Sequence, residues 1–173
     1  MVEVLFLDST YGIVVAEQFP VKSNESHCVK FLEFSDLGWI LTCPLYVFED
    51  DPDETLNVKF EVTTANEGKI GVDEVGKAIQ AGQPFTMAFV DIRMPYGIDG
   101  LETARQILSI DPDMEIIILT GYSDTPRQSM ARQLGVSNFQ LLKKPFDPDE
   151  LMQMAQFLAH RHDMHQRRSE QHK

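Results

Sequence analysis

The chain has 173 residues, of which 43% are hydrophobic and 24% are charged. These are globular proportions, and they exclude a disordered chain or a fibre. Asp and Glu number 27 against 15 Lys and Arg, which gives a formal charge of -12 and argues against a non-specific nucleic-acid binder.

Processing and compartment signals are sparse. Apolar runs are far shorter than the roughly 20 residues that a membrane span needs. The N-terminus has no basic region ahead of its apolar patch, so we expect no signal peptide. Two cysteines are too few for a disulfide framework. We therefore expect a cytoplasmic protein with no membrane segment.

The first part of the chain is the hardest to interpret. Residues 1–44 are strand-prone but irregular, and we predict an N-terminal extension there. Residues 45–48 form an apolar run that ends at Glu49 and Asp50, and we predict that this run is the first strand of an α/β domain.

The middle part alternates strands and helices. The pattern predicts strands at residues 58–63, 85–90, 115–119 and 139–142. Helices are predicted between them, one of them capped by Thr125 and ended by Gly135. A last helix starts near Asp147, so the predicted domain covers residues 45–160 and leaves a polar C-terminal tail at 161–173.

Alternating strands and helices predict a doubly wound parallel sheet with helices on both faces. Ligands of such sheets bind at the carboxyl ends of the strands. There the sequence places Glu49, Asp50, Asp91, Thr120 and Lys144. We therefore expect these polar side chains to meet at one edge of the sheet.

The chemistry of this set points to phosphoryl transfer. Two like charges about 4 Å apart cost on the order of 4 kcal/mol, so clustered carboxylates take up protons or bind a cation. Oxygen ligands favour a hard ion, Mg²⁺ or Mn²⁺. Lys144 and the Thr120 hydroxyl suit phosphoryl oxygens around Asp91.

Five segments together resemble the receiver domain of bacterial two-component response regulators. They are residues 46–50 (YVFED), 89–95 (FVDIRMP), 99–100 (DG), 118–121 (ILTG) and 142–146 (LKKPF). The resemblance covers residues 45–160 and implies a flavodoxin-like, mostly parallel five-stranded sheet with strand order 2-1-3-4-5.

The resemblance also implies roles for individual residues. Asp91 matches the aspartate that accepts the phosphoryl group from a histidine kinase or a histidine phosphotransfer protein. Glu49 and Asp50 match the acidic pair that holds Mg²⁺ together with Asp91 and the Arg93 carbonyl.

The resemblance also implies roles for two further residues and a set of partners. Thr120 matches the switch hydroxyl, and Lys144 matches the conserved-type lysine, in preference to Lys143. Such a domain is not a conventional enzyme, and its partners would be the phosphoryl donor, a downstream protein and a second copy of the chain. No nucleic acid or membrane is expected, because too few residues follow the domain to form a DNA-binding module.

The sequence departs from the family in its first crossover. Only residues 51–57 separate the acidic pair from the next strand, so the first helix looks shortened or displaced. Alternatively, residues 3–7 are the first strand, Asp8 is its terminal acid, and residues 25–37 form the missing first helix. The acidic pair is then reduced to one acid, and residues 45–48 become an extra strand.

Two other functions stay open. A pseudo-receiver would bind partners without phosphorylation, and a misplaced acidic pair favours it. A haloacid-dehalogenase-like phosphatase also uses a strand-end aspartate, but Arg93 stands where its second aspartate belongs. His160, His162 and His165 have partly helical spacing, which fits a metal site or, more simply, a solvated helix end.

Overall fold

The computed structural model describes residues 2–7, 33–35, 38–45, 60–94, 96–121 and 125–170. Seven strands and four helices lie within these ranges. The strands are β1 (Val2–Leu7), β2 (Glu33–Ser35), β3 (Gly38–Leu45), β4 (Phe60–Ala65), β5 (Met87–Asp91), β6 (Glu115–Thr120) and β7 (Gln140–Lys143). The helices are α1 (Gly68–Gln80), α2 (Gly100–Ile110), α3 (Arg127–Leu134) and α4 (Pro148–Glu170).

The strands form one seven-stranded sheet in the order β2-β3-β4-β1-β5-β6-β7. Neighbours from β4 to β7 run parallel, whereas β2, β3 and β4 pair antiparallel. Numbering only the parallel strands along the chain gives the order 2-1-3-4-5. The predicted doubly wound, flavodoxin-like sheet is therefore confirmed, with an antiparallel pair added at one side.

The first parallel strand is β1, at the N-terminus of the chain. Leu7 pairs with Ala65 on one side and with Val90 on the other, so β1 lies in the centre of the parallel sheet. Its last four residues are buried, as expected for a strand covered on both faces. The predicted N-terminal extension at 1–44 is therefore wrong, and the alternative first strand is correct.

The predicted first strand at residues 45–48 is also wrong where the structure describes it. Leu45 is the last residue of β3 and pairs antiparallel with Phe60, the first residue of β4. Residues 46–48 lie outside the described residues. The connection from β1 to β4 therefore spans residues 8–59. The first crossover is much longer than the predicted connection of seven residues at 51–57. Its described parts, 33–35 and 38–45, are strands. The alternative helix at 25–37 is therefore wrong at 33–35, and its other residues lie outside the described residues.

Helices cover both faces of the sheet. One core cluster joins α1, α2 and α3 to the sheet, and a second joins α4 to the opposite face. Every residue of β5 and β6 is buried, which explains their unbroken apolar runs. On the α4 side, the rings of Phe6 and Phe89 stack with centroids 5.3 Å apart.

Two helix ends test the sequence prediction in detail. Helix α3 begins at Arg127 after Pro126 and has no side-chain cap, so the predicted cap by Thr125 is wrong. It ends as predicted at Gly135, whose φ of +74° is the left-handed conformation that glycine adopts without strain.

The predicted polar tail at 161–173 is wrong as far as residue 170, because α4 continues through it. Arg161 explains the continuation, since its guanidinium pairs in a fork with the carboxylate of Glu115 at the start of β6. Buried Leu158 and Ala159 lie three and two positions before it. In the described part of the chain, no helix is long and apolar enough to cross a membrane.

Candidate functional site

Three polar residues end three neighbouring parallel strands. Asp91 is the last residue of β5, Thr120 is the last residue of β6, and Lys144 directly follows β7. Asp91 and Thr120 are only 6% and 5% exposed. The three predicted residues therefore meet at the carboxyl edge of the sheet, as parallel pairing requires.

The Asp91 carboxylate has a hydrogen bond on each oxygen. The Lys144 ammonium donates to Oδ2 at 2.7 Å, and the Arg93 backbone N–H donates to Oδ1 at 3.0 Å. The side chains of Lys144 and Asp91 are 17% and 9% exposed. Burial weakens solvent screening, so this pair is stronger than a surface ion pair and fixes the orientation of the carboxylate.

Thr120 and Lys144 are linked through the backbone. The Lys144 N–H donates to the Thr120 carbonyl at 2.8 Å, which continues the β6–β7 pairing one residue past β7. The Thr120 hydroxyl donates to the Gly121 carbonyl at 3.2 Å, a long bond between adjacent residues. A hydroxyl donor and an ammonium donor thus lie on the two strands that follow Asp91 in the sheet.

The start of α2 supports the Asp91 backbone. Asp99 caps the helix by accepting from the Glu102 N–H at 2.8 Å. A Cβ placed on Gly100 would lie 1.9 Å from the Asp91 carbonyl oxygen, so only glycine fits there. Gly100 therefore has a packing role in the DG motif at 99–100. The sequence resemblance included this motif but did not explain why glycine is needed there.

The structure describes fewer of the predicted acidic residues than of the other predicted site residues. Glu49 and Asp50 lie outside the described residues. The prediction that they bind the metal depended on a first parallel strand at residues 45–48, and that strand prediction is wrong. The connection that contains them leaves β3 at Leu45 and returns at Phe60, which is the amino edge of β4. Asp8 also lies outside the described residues, but in sequence it follows Leu7, the partner of Val90.

The described residues fit part of a hard-cation site. The Asp91 carboxylate and the Arg93 carbonyl are oxygen donors of the kind that Mg²⁺ binds. Among the described residues, no group of three or more His, Cys, Asp or Glu is arranged to hold a metal ion. The same finding leaves His160, His162 and His165 as residues of a largely exposed helix surface.

Comparison with known proteins identifies the fold and the family. A family model described as the response regulator receiver domain matches residues 53–156. The chain belongs to the response regulator receiver domain family. The match begins within the last part of the connection between β1 and β4, so it omits β1, which the structure nevertheless places in the same sheet.

Curated relatives include two transcriptional regulators. DctD of Rhizobium meliloti, a C4-dicarboxylate transport regulatory protein, is 48% identical over 65 residues, or 38% of this chain and 14% of the relative. FixJ of Bradyrhizobium diazoefficiens is 32% identical over 112 residues, or 64% of this chain and 53% of the relative. The chain thus spans about half of FixJ and a small part of DctD.

Solved receiver structures share the fold. The CheY-like receiver domain protein of Methanospirillum hungatei superposes with a TM-score of 0.58 at 15% identity, covering 95% of this chain and 98% of that one. A two-component regulator of Clostridium phytofermentans reaches a TM-score of 0.61 at 19% identity, covering 96% and 98%. At such identities the likeness supports the receiver fold and carries no information about substrate or partner.

Proposed function

We propose that this receiver domain accepts a phosphoryl group on Asp91. A carboxylate oxygen of Asp91 forms the new bond to phosphorus, and the bond between phosphorus and the donor's imidazole nitrogen breaks. The imidazole leaves with the electron pair, and the product is an acyl phosphate. The observation that carries this proposal is the buried Asp91 carboxylate, oriented by Lys144 at 2.7 Å.

Lys144 and Thr120 supply the positive charge and the hydroxyl donor that such a transfer needs. The transferring group carries charge on its oxygens, and fixed donors stabilise that charge without reorganising. The Lys144 ammonium already lies against Asp91. Thr120 is buried at the end of the next strand, within the same site.

We propose Mg²⁺ as the cofactor. Asp91 and the Arg93 carbonyl are the described ligands, and Asp8 is the acid that the strand order favours as the next ligand. When bound, the ion would neutralise charge on the phosphoryl oxygens. The sequence-based choice of Glu49 and Asp50 remains a competing proposal for the same role.

The proposed partners are a histidine kinase or histidine phosphotransfer protein as donor and a downstream protein as target. DctD and FixJ are named as transcriptional regulators, so the matched region in each is part of a longer regulator. We propose the same signalling role for this chain, in the cytoplasm, without the turnover of a conventional enzyme.

Incubation with acetyl phosphate and Mg²⁺ followed by intact mass spectrometry tests the proposal. We expect one added phosphoryl group in the parent protein and none in Asp91→Asn. Asp111→Asn, which changes an acid at the opposite edge of the sheet, is the matched control and should be modified like the parent. An unmodified parent, or equal modification of Asp91→Asn, would overturn the proposal.

A second set of variants separates the two acid choices. We expect Asp8→Asn to raise the Mg²⁺ concentration needed for half-maximal phosphorylation by at least tenfold. The double variant Glu49→Gln/Asp50→Asn should behave like the parent. The reverse result would return the metal role to the acidic pair.

The alternative is a phosphorylation-independent receiver that acts as an interaction module. The observation that favours it is that the described residues contain no group of three or more His, Cys, Asp or Glu arranged to hold a metal ion. Titration with beryllofluoride and Mg²⁺ separates the two functions. Saturable binding that is lost in Asp91→Asn supports phosphoacceptance, and absence of binding to the parent supports the interaction module.

A further inference from the structure

One buried oxygen at the carboxyl edge of the sheet has no hydrogen-bond partner. Asn66 directly follows β4, and its Oδ1 atom is buried although the residue as a whole is partly exposed. In the part of the chain that the structure describes, it is the one buried side-chain oxygen or nitrogen that is unpaired. An acceptor buried without a donor costs free energy, so this oxygen calls for an explanation.

Helix capping does not explain the position of this oxygen. An Asn close to the start of a helix often accepts a hydrogen bond from one of its first amides, and Asn66 stands two residues before Gly68, where α1 begins. The N-cap of α1, however, is Glu67, and α1 has no side-chain cap. Asn66 therefore lies beside a helix start without capping it.

The strand register places Asn66 in line with the proposed cation ligands. The last residue of β4 pairs with Leu7, and Leu7 pairs with Val90. Asn66 and Asp91 each come one residue later, at the ends of the two strands that flank β1. Two strand spacings put them about 10 Å apart along the edge of the sheet. Asp8, the acid proposed as the next ligand, follows Leu7 in the sequence.

Positions 66 and 91 also belong to the same face of the sheet. Side chains alternate between the two faces along a strand. By this count position 66 continues the series of Phe60, and Asp91 continues the series of Phe89. Both phenylalanines belong to the core cluster that packs under α4. The unpaired oxygen and the Asp91 carboxylate are therefore assigned to one face at one edge.

We propose that Asn66 is a positioning residue for the cation of the Asp91 site, and that its Oδ1 accepts a hydrogen bond from a water molecule bound to Mg²⁺. The inference rests on the proposed function, because it requires Mg²⁺ to bind beside Asp91. Mg²⁺ keeps several waters in protein sites, and groups that hydrogen-bond to the ligands of a metal orient them. Asn66 would thereby gain the donor that the described protein does not provide.

This role separates stability from cation binding. Without the cation, the unpaired oxygen destabilises the fold, and an apolar side chain of similar shape relieves that cost. With the cation, the same replacement removes an acceptor for its bound water. Asn66→Leu should therefore make the cation-free protein more stable and bind Mg²⁺ more weakly, whereas a merely structural residue would leave Mg²⁺ affinity unchanged.

Titration with MgCl₂, followed by the amide resonance of Arg93, tests the binding part. The Arg93 N–H donates to Asp91 Oδ1, so its chemical shift reports on the carboxylate without any phosphorylation. We expect saturable binding in the parent and a dissociation constant at least threefold higher in Asn66→Leu. Asn138→Leu is the matched control, because Asn138 is exposed two residues before β7, at the opposite edge, and should bind like the parent.

Asn66→Asp tests whether the buried group accepts or donates. Both carboxylate oxygens accept hydrogen bonds and add negative charge, so this variant should bind Mg²⁺ more tightly than the parent. Weaker binding by Asn66→Asp would show that the side chain has to donate a hydrogen bond, and would overturn the proposal.

Thermal unfolding provides the second readout. In EDTA, Asn66→Leu should raise the Tm by about 2 °C or more, and saturating Mg²⁺ should stabilise it less than the parent. A lower Tm in EDTA with unchanged Mg²⁺ affinity would overturn the proposal and make Asn66 a structural residue.

The titration also separates this inference from the proposed function. A parent protein that binds Mg²⁺, together with an Asn66→Leu variant of equal affinity, would overturn the role of Asn66 alone. A parent protein that does not bind Mg²⁺ would overturn the proposed cofactor and this inference with it.

Discussion

Asp91 and Lys144 lie 53 positions apart in the sequence, and their side chains form an ion pair of 2.7 Å at the carboxyl edge of the sheet. Lys144 follows the edge strand β7, two strands away from Asp91 on β5. The pair therefore ties the end of β7 to the centre of the site and orients the carboxylate before any ligand binds.

Removing Lys144 should destabilise the protein. In Lys144→Ala the Asp91 carboxylate would stay buried with its charge uncompensated, which costs about 3 kcal/mol, the low end for buried pairs because Lys144 keeps some solvent contact. Urea unfolding measures the change. Lys143→Ala is the matched control, because Lys143 is exposed, and should change stability by less than about 0.5 kcal/mol. Equal losses would contradict a special role for Lys144.

Substitution of Thr120 should slow phosphorylation rather than unfold the domain. Thr120→Val keeps the shape of the buried side chain but removes its hydroxyl. A hydrogen bond to a charged group contributes about 1.5–3 kcal/mol, so the rate with acetyl phosphate should fall roughly tenfold or more. Thr120→Ser retains the hydroxyl and should stay within about threefold of the parent. A fast Thr120→Val would remove Thr120 from the proposed transfer.

Gly100 and Gly76 should respond oppositely to alanine. A Cβ on Gly100 would overlap the Asp91 carbonyl, and that backbone cannot move without moving the site, so Gly100→Ala should lower stability by more than about 2 kcal/mol. Gly76 in α1 has nothing within 4 Å of its Cβ position, and Gly76→Ala should stabilise by about 0.5–1 kcal/mol. Thermal unfolding compares them. A harmless Gly100→Ala would mean that the start of α2 does not fix Asp91.

The parts predicted correctly from sequence are those with strong local signals. Buried parallel strands read as apolar runs, and a polar residue directly after the run located Asp91 and Thr120. The run at 139–142 is followed by two lysines, and the family resemblance selected Lys144 over Lys143. Parallel pairing then brings such residues together whatever the connections between them. For this reason the edge of the sheet was predictable without coordinates.

The first strand was missed because its position depends on long-range pairing. Both β1 and the run at 45–48 are short and apolar, and periodicity cannot tell which one enters a parallel sheet. The insertion at residues 8–59 separates β1 from the rest of the domain, so the nearer run looked like the first strand. Choosing it also assigned the acidic pair to residues that follow a strand ending at the opposite edge.

Glu3 and Glu61 provide a prediction about pH. They are direct neighbours in the β1–β4 pairing. Burial, and then the charge of Glu61, raises the pKa of Glu3 above its ordinary value of 4.5. The folded state therefore disfavours ionised Glu3, and this cost grows as pH rises above 4.5 and persists at neutral pH.

Glu3→Gln should accordingly stabilise the protein at pH 7. Glu3→Gln removes both the cost of burying the charge and one cross-strand repulsion, and the corresponding rise in Tm is about 1–4 °C. The gain should disappear below pH 4, where Glu3 is protonated in both states. Glu61→Gln relieves only the repulsion and should give a smaller rise. A gain that is the same at pH 4 and pH 7 would show that ionisation of Glu3 is not its cause.

Arg161 should be required for the C-terminal half of α4 to stay docked. Its guanidinium pairs with Glu115, whose side chain is 9% exposed at the start of β6. In Arg161→Met the Glu115 carboxylate would be buried without a partner, at a cost of about 3 kcal/mol in urea unfolding. The matched control is Arg167→Met, which breaks only an exposed pair with Asp163 and should cost less than about 1 kcal/mol.

Hydrogen exchange would locate the effect of Arg161→Met along the helix. Residues 162–170 lie beyond the last buried turn of α4, and Arg161 is the ion-pair contact that precedes them. Loss of that contact should speed amide exchange in this segment while the β5 and β6 amides change only with global stability. Faster exchange confined to the sheet, with α4 unaffected, would contradict the docking role, because the helix would then be held by its apolar residues alone.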